Sequence, residues 1–207
     1  MNAEDIKRAF RFISSRISGE EELLTELDQQ SGDGDLGISM REGFKAVSEA
    51  CGASREQDLG KLLAVCSSVM NEAAPSSLGT ILSFGMMGMA KPLRCKTDVS
   101  LAEWADAFGK GLELMMARAH SKPGEKTVLD ALCPAADALA ACADQPEKAL
   151  HAALAAAETG CEATRGMRSV HGRAAYYGDA SIGLLDGGAV VGRLIVEGML
   201  LAWEQRG

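Results

Sequence analysis

The chain changes character at one glycine- and aspartate-rich segment, Asp28-Gln29-Gln30-Ser31-Gly32-Asp33-Gly34-Asp35-Leu36-Gly37. Three glycines and three aspartates in ten residues predict a loop. Before this segment, apolar residues recur at helical spacing from Ile6 to Ile17, and residues 20–27 continue the helical pattern. After it, helical patterning resumes at Ser39 and extends to about Cys51. The segment is therefore predicted to be a loop between helices.

The rest of the chain alternates in the same way between apolar helical stretches and polar loops. Asp58 is predicted to cap a helix that reaches about Met70, and Ser100 with Glu103 forms a capping box for a helix ending near Arg118. Further helices are predicted over residues 81–90, after residue 127, over residues 147–163 and from about 186 to 203. No strand-like alternation is sustained. The sequence predicts a single all-α domain, residues 1–207, with about eight or nine helices whose polar loops can gather at one end.

Composition agrees with this fold and restricts the partners. Only 5 Phe, 2 Tyr and 2 Trp are present, so the core must consist mainly of aliphatic residues, which suit helices. The formal net charge is −8, with 21 Lys and Arg against 29 Asp and Glu, and no long basic run occurs. Binding to nucleic acid or to an anionic membrane is therefore not expected.

Cysteine usage and the N-terminal sequence predict a cytoplasmic protein. The six cysteines form no CxxC motif, and we expect them to be reduced and buried among apolar residues. The first residues lack the basic and apolar regions of a signal peptide. The longest uncharged run, residues 73–90, contains Pro75, three Ser and three Gly, which favours a buried helix over a membrane span.

Asp28, Asp33 and Asp35 are the candidate metal ligands. Three carboxylates on one glycine-rich turn can converge on a point, where their charges favour a cation. Oxygen ligands favour Mg²⁺ or Ca²⁺ over zinc, but a calcium loop starting at Asp33 fails because its sixth and twelfth residues are Ile38 and Phe44. Magnesium shares its ligands with substrate phosphates, so a Mg–nucleotide fits the loop. The alternative is an acidic, solvated turn.

Three further segments combine features of helix starts and phosphate sites. The first contains Ser76 and Ser77 before a helix, where hydroxyls and free amides can bind phosphate or simply cap the helix. The second contains Lys126 and Thr127, which lack the Walker spacing and serve either a phosphate or a helix start. In the third, Arg173 can neutralise phosphate. Asp186 is most simply an N-cap, and the histidines at 120, 151 and 171 are expected to be exposed.

Together these loops resemble the nucleotide-binding L subunit, or L domain, of dihydroxyacetone kinases. The resemblance spans nearly the whole chain, and its motifs occur in the family order. They are Leu27-Asp28-x4-Gly32-Asp33-Gly34-Asp35-Leu36-Gly37, Gly79-Thr80, Pro123-Gly124-Glu125-Lys126-Thr127-x-x-Asp130, Gly172-Arg173-Ala174-x-Tyr176-x-Gly178 and Ser181-Ile182-Gly183-x-x-Asp186-x-Gly188-Ala189. Two departures are Leu36, where the family often has His, and Ala73-Ala74-Pro75-Ser76-Ser77, where it usually has Gly-Gly-x-Ser-Gly.

The resemblance implies an antiparallel eight-helix barrel that holds ADP or ATP through Mg²⁺ at one end. Asp28, Asp33 and Asp35 would bind the metal. The residues implied or expected to lie along the nucleotide are Gly37, Ile38, Ser39, Ser76, Ser77, Gly79, Thr80, Lys126, Thr127, Arg173, Asp186, Gly187 and Gly188.

In this family a separate K subunit holds the ketose covalently on a histidine, and the L subunit supplies the phosphoryl group. The donor is ATP in some members and a phosphohistidine carrier of the sugar phosphotransferase system in others. The resemblance therefore predicts a phosphotransferase subunit that is active only with a K-type partner and a small ketose such as dihydroxyacetone. The alternative is a non-catalytic subunit that senses ADP or ATP and docks to another protein.

Overall fold

Nine α-helices account for most of residues 1–206, the part of the chain that the computed structural model describes, and no β-strand occurs there. The all-α prediction is therefore confirmed. Gly207, the last residue of the predicted domain, lies outside the described residues. The helices are α1 Ala3–Gly19, α2 Glu21–Gln29, α3 Leu36–Ala53, α4 Leu59–Ala73, α5 Ser77–Ala90, α6 Leu101–Ala119, α7 Leu129–Ala141, α8 Pro146–Ala163 and α9 Gly187–Glu204, with 3₁₀ segments Thr164–Gly166 and Arg173–Ser181 between the last two.

The eight longer helices form a closed ring. Helices α1, α3, α4, α5, α6, α7, α8 and α9 each pack against the next, and α9 packs back against α1, while the short α2 lies against α3. The closure between α9 and α1 is tight, because a Cβ atom on Gly198 would lie 2.7 Å from the backbone nitrogen of Ile13. The ring is the antiparallel barrel that the family resemblance implies.

Contacts between helix ends show which way the helices point. Arg206, just after α9, donates to Asp5 in the first turn of α1 at 2.9 Å. The start of α4 lies beside the end of α5, since Asp58 accepts from the Cys95 backbone at 2.8 Å. The starts of α3 and α5 meet through Ser39 and Ser76. Alternate helices are therefore parallel, and one end of the barrel collects the N-termini of α3, α5, α7 and α9.

Several helix boundaries follow from the predicted caps, and two differ. Asp58 accepts from the backbone N–H of Lys61, and the capping box of Ser100 and Glu103 is formed as predicted. Helix α3 begins at Leu36, three residues before the predicted start, and α5 begins at Ser77 rather than at residue 81. The earlier start of α5 has a local cause, because the Ser76 hydroxyl accepts the Gly79 N–H.

The ring encloses an aliphatic core and a cavity. Met40 and Phe44 of α3, with the leucines of α4 and α7, are among the most deeply buried side chains. A cavity of about 80 Å³ remains between the helices. Its walls are apolar and include Phe10, Trp104, Phe108 and Met115.

The prediction that all six cysteines are buried is wrong for Cys95. Its side chain is exposed, because the residue lies in the turn after α5 with a left-handed backbone (φ 61°). Cys133 and Cys142 are half-buried, whereas Cys51, Cys66 and Cys161 are buried as expected. None of the helices in the described part of the chain combines the length and apolarity needed to cross a bilayer.

Candidate functional site

Asp28 organises the loop between α2 and α3. One of its carboxylate oxygens accepts the backbone N–H of Gly34 at 2.8 Å and that of Asp35 at 3.1 Å. The turn needs glycine at position 34, where φ is +78°. At position 32 a Cβ atom would collide with the Asp28 carboxylate, at 2.2 Å. The glycines therefore allow the loop to wrap around Asp28.

The loop brings the three predicted metal ligands together. Asp28, Asp33 and Asp35 each offer an oxygen, and these oxygens lie within 4.8 Å of one another. Desolvation and the charges of Asp33 and Asp28 raise the pKa of Asp35. Repulsion of this kind is relieved by a cation, and oxygens at this spacing fit Mg²⁺ or another hard cation.

Arg173 reaches this cluster from a different part of the chain. Its guanidinium forms an ion pair with the Asp33 carboxylate, and this contact holds the pKa of Asp33 below its usual value. The pKa of Arg173 is raised by the same contact and by the charges of Asp33, Asp35 and Asp28. The structure thus places a side chain of the phosphate-binding type beside the carboxylates. Both Arg173 and its partner Asp33 are exposed.

The starts of α3 and α5 form a second wall of the site. The Ser39 and Ser76 hydroxyls are 3.0 Å apart and hydrogen-bonded. Gly37 and Ile38 lie in the first turn of α3, which receives no side-chain cap from the described residues. The backbone N–H groups at such a helix start are free to bind an anion. Ser77 is exposed at the first position of α5.

The start of α9 forms the third wall. Gly187 contacts Leu36, since a Cβ atom there would lie 2.6 Å from a Leu36 methyl group. A Cβ atom on Gly188 would lie 3.4 Å from the backbone nitrogen of Val128, which is an ordinary contact distance. Asp186 caps this helix by accepting the Ala189 N–H at 2.7 Å, as predicted, and desolvation raises its pKa to about 7.

Four predicted nucleotide contacts have other partners in the structure or lie further along a helix. The Lys126 ammonium donates to three backbone carbonyls, and the Thr127 N–H donates to Asp130. The Gly79 N–H is used by the Ser76 cap, and Thr80 lies in the first full turn of α5. Lys126 was expected to contact a phosphate, but its ammonium instead donates all three of its protons to carbonyls within the protein.

A side-chain contact at the edge of the site was not predicted from the sequence. His171 was expected to be exposed, but it is half-buried, and its Nε2 lies 2.6 Å from a carboxylate oxygen of Glu125. This contact, followed by the Lys122 backbone N–H, lowers the pKa of Glu125. The two residues occur in separate loops, so no local spacing could have revealed the pair. His120 and His151 are exposed as predicted.

The assembled end of the barrel offers three carboxylates, a guanidinium paired with one of them, and several helix N-termini. Carboxylates can hold a divalent cation, while the guanidinium and amides can bind phosphate oxygens. A search against protein-family models finds that the DAK2 domain matches residues 30–201. The chain belongs to the DAK2 domain family. The family resemblance inferred from the loop motifs is thereby confirmed.

Curated relatives of this DAK2 domain chain include two kinase subunits and a larger enzyme. The ADP-binding subunit DhaL of the PEP-dependent dihydroxyacetone kinase of Escherichia coli (strain K12) is 30% identical over 192 residues, which is 91% of each protein. The corresponding subunit of kinase 1 from Listeria innocua is also 30% identical, over 91% of this chain and 90% of the relative. Human triokinase/FMN cyclase is 33% identical, but the match covers only 33% of its length.

Solved structures confirm the DAK2 domain fold. The native crystal structure of the dihydroxyacetone kinase of C. freundii superimposes with a TM-score of 0.78 at 23% identity, covering 97% of this chain and 34% of that one. Its complex with AMP-PNP and Mg²⁺ gives a TM-score of 0.76 at 21% identity, covering 94% and 33%. The matched part is therefore one third of a longer kinase.

Proposed function

We propose that the chain is a Mg²⁺–nucleotide-binding phosphotransferase subunit of a dihydroxyacetone-type kinase. It delivers a phosphoryl group to dihydroxyacetone or a related small ketose held on a separate K-type subunit. The observation that carries this proposal is the convergence of Asp28, Asp33 and Asp35, whose oxygens lie within 4.8 Å of one another. The names of the bacterial relatives, which are ADP-binding subunits, support the same conclusion.

In this proposal the three aspartates hold the cation, and the helix starts hold the phosphates. Mg²⁺, when bound, neutralises charge on the phosphate oxygens as the phosphoryl group moves. The amides of Gly37 and Ile38, with the Ser39, Ser76 and Ser77 hydroxyls, would orient the phosphate chain; the uncapped start of α3 and the Ser39–Ser76 hydrogen bond beside it support this role.

Arg173 and the start of α9 complete the proposed nucleotide site. Arg173 supplies a cation in contact with the carboxylate cluster, beside the phosphates on which negative charge develops during transfer. In this proposal the backbone of Gly187 and Gly188, which begins α9 beside Leu36, borders the ribose or base of the nucleotide. These roles make phosphoryl transfer a matter of positioning and charge neutralisation, since no protein nucleophile is required.

The proposed transfer is a substitution at phosphorus and needs no oxidant or reductant. The bond between the γ-phosphorus and the oxygen bridging to the β-phosphate breaks, and a bond from a ketose hydroxyl oxygen to phosphorus forms. The products are ADP, the ketose phosphate and the released hydroxyl proton. The donor is ATP or a phosphohistidine carrier of the sugar phosphotransferase system that recharges bound ADP, and the PEP-dependent relatives favour the carrier.

A reconstitution assay tests the proposal. The purified chain should bind Mg–ADP but should not phosphorylate dihydroxyacetone until a K-type subunit and a donor are added. ATP and a phosphocarrier are supplied in parallel to identify the donor. Binding without any transfer in the presence of the K-type subunit would instead favour a nucleotide-sensing regulator. The assay is run under reducing conditions, because the proposed setting is the cytoplasm, where a thiol such as that of Cys95 stays reduced.

A further inference from the structure

Lys126 is an unusual side chain for its position. It is only 6% exposed, although lysine is rarely buried, and its backbone adopts a left-handed conformation with φ of 61°. A non-glycine residue is held in this conformation only where its surroundings require it. Burial removes part of the solvation of the ammonium and so lowers the pKa of Lys126.

The ammonium is compensated by backbone carbonyls of one distant loop. It donates to the carbonyl oxygens of Ser181 and Leu184, both at 2.6 Å, and to that of Met167 at 3.3 Å. Three donations use all three protons of the group. Because a buried charge is costly without partners, these carbonyls are held at the ammonium.

The three carbonyls lie at the two ends of the segment that carries Arg173. Residues 167–184, which we call the Arg173 loop, begin at Met167 and end at Leu184. Ser181 also closes the base of this loop, since its hydroxyl accepts the Ser169 N–H at 2.9 Å. Lys126 therefore fastens both ends of the loop to one point just before α7.

We infer that Lys126 is a positioning residue that gathers the ends of the Arg173 loop and thereby holds the Arg173 guanidinium against the carboxylate cluster. Among the described residues, the pairing of Arg173 with Asp33 is the only ion pair that joins this loop to the loop between α2 and α3. His171 and Glu125 add a second attachment between the Arg173 loop and the segment containing Lys126. The effect on nucleotide binding rests on the proposed function, whereas the tether itself does not.

The tether can be measured without any nucleotide. Lys126→Met keeps the length of the side chain but removes the ammonium, so the three carbonyls lose their donor. Hydrogen exchange, followed by mass spectrometry on the full chain, should become at least tenfold faster in peptides from residues 167–184. Lys122→Met is the matched control, because Lys122 is exposed in the same loop, and it should leave exchange unchanged. Unchanged exchange in Lys126→Met would overturn the inference.

A double-mutant cycle shows whether Lys126 acts through Arg173. Lys126→Met and Arg173→Ala should each weaken Mg–ADP binding about tenfold, which is the size of one lost charge-assisted hydrogen bond. The double variant should bind no more weakly than either single variant, since both changes remove the same contact. If the losses of Mg–ADP affinity in the two single variants multiplied in the double variant, Lys126 would act on the nucleotide independently of Arg173. That result would overturn the positioning role.

Two further results separate this inference from the proposed function. If Arg173→Ala binds Mg–ADP normally while Lys126→Met exchanges faster, the tether is upheld and the proposed role of Arg173 is wrong. If Lys126→Met does not fold, as judged by circular dichroism, Lys126→Gln is used instead, because its amide retains two N–H donors. In Lys126→Gln, hydrogen exchange in residues 167–184 should be faster than in wild type but slower than in a fully open loop. An exchange rate equal to that of wild type would overturn the inference.

Discussion

The Arg173 guanidinium forms an ion pair with the Asp33 carboxylate, and this contact joins the Arg173 loop to the loop between α2 and α3. Asp33 belongs to a cluster of three carboxylates, so Arg173 is held where both a cation and phosphate groups would be bound. The contact therefore connects the proposed metal ligands with a proposed phosphate ligand. Five predictions test this site and the helices that build it.

Asp33→Asn should weaken Mg–ADP binding by about tenfold or more, because it removes a charged ligand and the partner of Arg173. Isothermal titration with ADP, with and without EDTA, measures the effect. Asp106→Asn is the control, since Asp106 is exposed on α6 away from the loops. Equal ADP affinity of the wild-type chain with and without EDTA would contradict a metal-bridged nucleotide.

Arg173→Ala should lower the rate of phosphoryl transfer in the reconstituted kinase by about tenfold or more, because one of few cations near the phosphates is lost. The matched control is Arg168→Ala, in the same loop, whose guanidinium pairs with Asp179 instead. The initial rate of ketose phosphate formation is the readout. A similar loss in both variants would indicate a general effect of the loop.

Ser76→Ala should lower the free energy of unfolding by about 1 kcal/mol, because the hydroxyl caps α5 and bonds to Ser39. Urea unfolding followed by circular dichroism measures this change. Ser77→Ala removes an exposed hydroxyl from the next position and should have little effect on stability. A smaller loss for Ser76→Ala than for Ser77→Ala would show that the cap is not formed in solution.

Asp186 should make the protein less stable as the pH rises from about 4 to about 7. Its pKa is about 7 in the folded chain, against about 3.9 for an unperturbed aspartate, so the folded state binds a proton that the unfolded state releases. Asp186→Asn keeps the cap but removes the ionisation. Its unfolding free energy, relative to wild type, should therefore increase through this window by up to about 1.4 kcal/mol per pH unit.

A second capping aspartate provides the control for this pH dependence. The pKa of Asp58 is lowered by its bond from the Lys61 backbone, so its contribution to stability is lost only as the pH falls below about 4. Asp58→Asn should consequently differ from wild type by a constant amount between pH 5 and 7.5. A constant difference for Asp186→Asn as well would contradict the raised pKa of Asp186.

Cys95 should be the first thiol to react with a thiol reagent in the native protein, because it is exposed. Burial raises the pKa of Cys161 to about 11, and this thiol should stay unreactive until unfolding. Counting modified thiols by mass spectrometry before and after denaturation tests both statements. All six should react after unfolding, and fewer would indicate a disulfide.

The sequence was sufficient for those features that depend on neighbouring residues. Asp58, the Ser100–Glu103 pair and Asp186 cap helices as predicted, because an N-cap bonds to an amide only two or three residues away. The Asp28 cluster was also predictable, since its three carboxylates share one short loop. The start of α3 was placed too late, because Leu36 and Gly37 resemble loop residues until tertiary contacts make them helical.

Features that join distant segments were not predictable from local spacing. The sequence around Lys126 indicates only a helix start, yet its ammonium binds carbonyls more than forty residues later. Likewise, His171 resembles an exposed loop histidine until its pairing with Glu125 is seen. The contact between Arg173 and Asp33 depends on ring closure, which brings the start of α3 beside the segment before α9.

The pairing of Asp5 with Arg206 has a practical consequence for engineering. It holds the first turn of α1 and the end of α9 together, at the end of the barrel opposite the carboxylates. A fluorescent protein, an affinity tag or a surface linker fused at either terminus would therefore emerge away from the nucleotide loops. A flexible peptide of a few residues could also join the two ends, with new termini cut in the loop at residues 54–58, giving a circularly permuted form with its loop end unobstructed.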